Sequence, residues 1–169
     1  MQVFIHGNPL LEYMADKGDI VVVDGDEDAS RTNLARWLSN YAAVQDCNVT
    51  LYFEGGPGGA TVSPVEHIGR TEVVTLEPGE SLRQAIAGPA NRAAGKERTY
   101  VVTTDPKLET ALLKSDARVY EPRKFLSKAR TLMRGDGENR VEEPDQKFTG
   151  VPEEEVDFWA EMFEDDKEN

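Results

Sequence analysis

The chain has 169 residues, 38% of them hydrophobic and 30% charged, with a net charge of −13; that leaves room for one domain with a substantial core and too little for two. Its single cysteine, Cys47, excludes an internal disulfide framework and leads us to expect a reducing, cytoplasmic setting. No apolar run approaches the roughly 20 residues that span a bilayer, and MQVFIHGNPLLEYM lacks the basic start and apolar stretch of a secretory signal, so no membrane partner is expected.

Residues 1–18 read as an N-terminal extension in which Pro9 to Ala15 can form an extra helix. Ile20-Val21-Val22-Val23 is a β-branched run broken by Asp24-Gly25, the pattern of a buried strand entering a loop. Ser30 can cap a helix to about Ala43, with Leu34, Trp37, Leu38 and Tyr41 at helical spacing. Val49 to Phe53 is the next strand, ended by Glu54 and the loop Gly55 to Gly59. Thr71 to Thr75 is a third strand, followed by a helix from Pro78 to about Asn91. Tyr100 to Thr103 is a fourth, then a helix from Pro106 to Lys114, a short strand Arg118 to Tyr120, and a closing helix Pro122 to Met133. Strands alternating with helices predict an α/β domain over residues 19–134, a mainly parallel sheet of four or five strands with helices on both faces.

The charge is unevenly spread. Residues 135–169 carry 14 acidic and 3 basic side chains, a net of −11, which leaves the rest of the chain near −2. Residues 135–150 are polar and apolar-poor, a flexible linker by composition. Residues 151–169 form an acidic tail in which Pro152 and three glutamates can start a short helix. Val156, Trp159 and Phe163 fall on one face of that helix and predict docking on a protein partner or on the chain's own core. Arg118, Arg123, Lys124, Lys128, Arg130 and Arg134 cluster near the end of the domain and could follow a phosphate backbone. Self-docking of the tail there would shield them from a nucleic acid.

Ligands of a parallel sheet bind at the carboxyl ends of its strands. Asp24, Glu54 and Asp105 follow three of the predicted strands and Glu80 opens a helix after another. Four carboxylates at one edge repel one another unless a divalent cation lies among them. Mg²⁺ or Mn²⁺ suits such oxygen ligands and would steady charge on a phosphate. Other constellations fail: Ala29 and Ala35 break an EF-hand reading of Asp24, Asp26 and Asp28, the glycine loop lacks the Lys-Ser/Thr of a phosphate cradle, and His6, His67 and Cys47 are too scattered for zinc.

In order and spacing, IVVVDG, the Arg31 to Ala42 helix, VTLYFEGGPGG, TEVVT, GES, YVVTTD and ARVYEPRKFL resemble the YacP-like branch of the NYN domains, within the PIN-type ribonucleases. The resemblance implies a PIN-like three-layer fold and divalent-metal-dependent cleavage of RNA. On it, Asp24 and Asp105 are the principal metal ligands with Glu54 and Glu80 in support; with RNA as the substrate, Arg31 and, from the basic cluster, Arg123, Lys124 and Lys128 are the expected contacts. The chain departs from that pattern. It has Asp24-Gly25-Asp26-Glu27 for Asp-Gly-Tyr-Asn, Glu54 for Asp, and Arg83 and Gln84 where further acids stand. An arginine beside a two-metal site cancels one of the charges that hold the cation, and Asp26 or Asp28 would have to substitute.

Three functions therefore compete at this stage. The first is a weakened metal-dependent ribonuclease, and the second an inactive relative that binds RNA or a protein partner. The third is a dehalogenase-type phosphatase with Asp24 as nucleophile. An oligomer is compatible with each of them.

Overall fold

The computed structural model describes residues 1–23, 26–55 and 65–134. Five helices and six strands follow in the order β1 Gln2–His6, α1 Gly7–Asp16, α2 Glu27–Val44, β2 Asn48–Glu54, β3 Val65–Ile68, β4 Thr71–Leu76, α3 Leu82–Ala94, β5 Thr99–Val102, α4 Pro106–Leu112, β6 Arg118–Tyr120 and α5 Pro122–Met133. The strands form one sheet in the order β3-β4-β2-β1-β5-β6. Neighbours are parallel except β3, which pairs antiparallel with β4 along Val65↔Val74 to Ile68↔Thr71.

The central strand is the first surprise. Residues 1–18 are not an extension: Gln2–His6 occupies the middle of the sheet, pairing Phe4↔Thr50 on one side and Phe4↔Val101 on the other. The expected strand Ile20–Val23 does not form. Val21, Val22 and Val23 are 72%, 46% and 39% exposed. That segment lies against the start of α2, where Asn33 donates to the Val21 carbonyl at 2.9 Å and the Val23 N–H donates to Ser30 Oγ at 3.0 Å. Alternation explains why the shorter run wins. Val3 and Ile5 enter one core and Phe4 the other, so QVFIH serves both faces of a buried strand.

Two cores make three layers. On one face α1, α2 and α5 pack Leu10, Met14, Leu34, Leu38, Phe125 and Leu126 against Val3, Ile5, Leu51 and Phe53. On the other, α3 and α4 pack Leu82, Ile86, Ala90, Leu108 and Leu112 against Phe4, Tyr52 and Val101. Helix α2 begins earlier than expected because Asp26, not Ser30, is its cap: the Asp26 carboxylate accepts from the Ala29 N–H at 2.9 Å. Helix α3 continues through Gly88-Pro89 to Ala94 because Ala90 is fully buried against the sheet, and packing there overrides the proline. The edge strand β3 escaped the sequence reading because Val65, Glu66 and His67 are all exposed and carry no buried face.

Residues Met1–Glu138 form one compact unit. Asp24 and the expected linker and tail, including Val156, Trp159 and Phe163, lie outside the described residues. Among the described residues, no helix is long and apolar enough to cross a membrane.

Candidate functional site

Five parallel strands deliver their carboxyl ends to one edge of the sheet. At its centre the last residue of β1 is His6, in register with Tyr52 of β2. Phe4 and Tyr52 both face the α3/α4 layer, so the two-residue period of a strand puts His6 and Glu54 on that same face. Burial holds the His6 imidazole below its usual pKa, and the charges of Glu54, Asp105 and Glu12 offset that effect only in part. Neither His6 Nδ1 nor Oδ1 of Asn8, in the first turn of α1, has a hydrogen-bond partner among the described residues, and both atoms are buried.

One Asp105 oxygen is hydrogen-bonded and the other faces a cation beyond hydrogen-bond distance. The residue caps α4, with Oδ1 accepting from the Lys107 N–H at 2.9 Å, and Oδ2 lies 3.9 Å from Nε of Arg83 on the first turn of α3. Glu80 is turned back on its own loop, where its carboxylate accepts from the Glu77 N–H at 2.8 Å. Asp26 caps α2 and the exposed Asp28 sits in its first turn, so their positions are those of helix-starting acids. Among the described residues, no three His, Cys, Asp or Glu side chains are placed to hold a metal ion. Among the described residues, the donors at this edge are one half-buried imidazole, Glu54, and an Asp105 that faces Arg83, a set that does not fit a hard divalent cation needing several oxygen ligands.

The cationic groups are arranged differently from the acids. Arg31 of α2 donates to Glu27 at 2.6 Å and to the Glu54 carbonyl at 3.2 Å, and its guanidinium lies 4.7 Å from the centre of the Phe53 ring. Its side chain is only 11% exposed, and its Nε is buried without a partner among the described residues. Arg123 and Lys124 are exposed on the first turn of α5, just past the carboxyl end of β6. Lys128, further along α5, lies over the rings of Tyr100 and Tyr120 at 5.4 and 5.9 Å. Burial, with the charges of Arg98 and Arg118, lowers its pKa to about 8.

Of the expected acids, Glu54 and Asp105 stand at this edge and act on His6, while Glu80 does not join them. Asp24 lies outside the described residues, and the strand that was to present it is absent. That removes the basis for the dehalogenase-type phosphatase, which needs its nucleophile at a strand end. His6 and Asn8 were missed. The signal for them was HGNP directly after an apolar run, a strand breaking into a loop.

Residues 15–157 match the YacP-like NYN domain, a match that starts inside α1 and so leaves β1 outside it. No curated protein matches the chain. The structure resembles the crystal structure of Rae1 (YacP) from Bacillus subtilis, at 16% identity and a TM-score of 0.60 over 99% of this chain and 86% of that one. It also resembles a tryptophan-to-leucine mutant of that protein, at 17% identity and a TM-score of 0.61 over 79% and 77%. With more than half its length matched, this chain belongs to the YacP-like NYN domain family, a family of ribonucleases.

Proposed function

We propose that this chain binds RNA along the carboxyl edge of its sheet and has lost the cation-dependent cutting of its family. The observation that carries this reading is the pairing of Arg83 with Asp105, beside a histidine at the end of the central strand. Arg31 supplies the anchor. Its guanidinium is held against Phe53, the Glu54 carbonyl and the exposed Glu27 carboxylate, a pre-ordered fork whose place at Glu27 a phosphate oxygen would take or share. Arg123 and Lys124 add charge along the same edge, and His6 and Asn8 offer buried polar atoms to a ribose or base.

A second reading keeps the ribonuclease active. Glu54 and Asp105 favour it, because both carboxylates lie close enough to act on the same imidazole. One experiment separates the two. Labelled single-stranded and structured RNA is incubated with the full chain in Mg²⁺, Mn²⁺ or EDTA, and both binding and cutting are followed. The expected result is salt-dependent binding with no cation-dependent products. Products that need Mg²⁺ or Mn²⁺, and that Asp24→Asn or Asp105→Asn removes, would establish the nuclease. No binding at all would remove the RNA reading.

A further inference from the structure

We propose that Arg83 takes the place of a divalent cation in this site, its guanidinium holding Asp105 as an internal counter-ion so that the carboxyl edge works without bound metal. The inference rests on the placement of the edge as the functional site, and it goes further by naming what neutralises the edge.

Among the described residues, two of the expected ligands, Asp105 and Glu80, have other partners. One Asp105 oxygen accepts the Lys107 N–H and the other lies 3.9 Å from Arg83 Nε, so a metal there would share the carboxylate with a guanidinium charge. Glu80 is folded onto the Glu77 N–H. At the end of the central strand, His6 brings a nitrogen donor with no formal charge when neutral, in a place where a carboxylate would add to the field. Among the described residues, what remains for a cation is Glu54, which is one carboxylate against the several oxygen ligands that Mg²⁺ demands. The fixed positive charge of Arg83 also repels any cation approaching Asp105, and it sits on a helix first turn, where the dipole adds to that repulsion.

Arg83 is 43% exposed, so its replacement leaves the core intact. The test is Mn²⁺ binding to the full chain, with the bound fraction read from the loss of free-ion paramagnetic signal. The 14 carboxylates of residues 135–169 would contribute diffuse Mn²⁺ binding, so the quantity that counts is the binding removed by Asp105→Asn. Wild type and Asp105→Asn should bind alike. Arg83→Glu should gain one Mn²⁺ site at least tenfold tighter than the diffuse background, Arg83→Gln a smaller gain, and Arg83→Glu with Asp105→Asn none. Thermal unfolding of each variant without metal checks folding. A wild-type Mn²⁺ site that Asp105→Asn abolishes would overturn the proposal, as would folded Arg83→Glu and Arg83→Gln proteins that gain nothing. No RNA is present, so the result stands apart from the RNA reading: absent RNA binding alongside the expected Mn²⁺ pattern would remove only that reading.

Discussion

A Cβ placed on Gly7 would stand 2.5 Å from Cε1 of Phe53, so the first turn of α1 rests directly on the ring that ends the buried part of β2. The same ring carries the Arg31 guanidinium at 4.7 Å. The contact ties the central strand's exit to the base of the candidate site, and only a residue without a side chain permits it. Gly7→Ala should cost about 1–3 kcal/mol, the usual range for overpacking a dense core, read from urea unfolding. Gly95 is the control: with φ at −73° and nothing within 4 Å of a new Cβ, Gly95→Ala should stabilise by about 0.4–1 kcal/mol. Equal effects at the two positions would mean that α1 does not sit on Phe53.

The choice of central strand can be tested as sharply. Ile5 is fully buried between two layers, whereas Val22 is 46% exposed on the segment before α2. Ile5→Ala should cost about 2–5 kcal/mol. Val22→Ala should change stability by no more than about 0.5 kcal/mol. The opposite ranking in denaturant melts would return IVVV to the sheet and His6 to the surface.

Those two segments also explain what the sequence could and could not reveal. Eight elements from α2 to α5 were readable because each carries its own period, a buried run such as VTLYF or a helical stripe such as Leu34, Leu38 and Tyr41. Two runs competed for the remaining central strand, and propensity favoured the wrong one. Four consecutive β-branched or aliphatic residues look more strand-like than QVFIH, but only the latter alternates correctly between the two cores. Strand β3 has no hydrophobic pattern at all and forms through pairing with β4, a long-range event invisible in local sequence. In the site, Glu54 and Asp105 were legible because acids after strands collect at one edge. His6 was hidden by the misplaced strand. The hydrogen bond that turns Glu80 back onto Glu77 depends on a turn with Gly79 at φ 95°, which no spacing rule discloses.

Arg31 joins packing to recognition, and graded substitutions separate the two. Arg31→Ala removes the charge, the stack on Phe53 and the donor to the Glu54 carbonyl. Arg31→Lys keeps the charge but loses the planar fork and its stacking. If the edge holds RNA as proposed, Arg31→Ala should weaken binding and lower the salt slope by about one unit, while Arg31→Lys keeps most of the slope and loses affinity. Fluorescence anisotropy of labelled RNA across a salt series reads both quantities. An unchanged slope in the alanine variant would place the RNA elsewhere on the surface, with Arg123 and Lys124 next to be replaced.

The half-buried imidazole of His6 gives the fold a pH dependence of definite sign. Burial lowers its folded-state pKa, more than Glu54, Asp105 and Glu12 raise it. The unfolded chain, with the ordinary value of about 6.5, therefore binds the proton at a higher pH than the folded chain does. Stability should fall as pH drops through that value and stop falling only below the folded-state pKa. Carboxylates held low by their partners, such as Asp46 beside Arg70 and Glu97 beside the N-terminal ammonium, lose their contribution only in more acidic solution. A melting series from pH 7.5 to 5.5 thus isolates the histidine. Wild type should lose stability steadily across it, and His6→Gln, which cannot take up a proton, should flatten the curve. A wild-type curve already flat over this window, or one that His6→Gln leaves unchanged, would mean that the imidazole is solvated rather than enclosed at the end of β1.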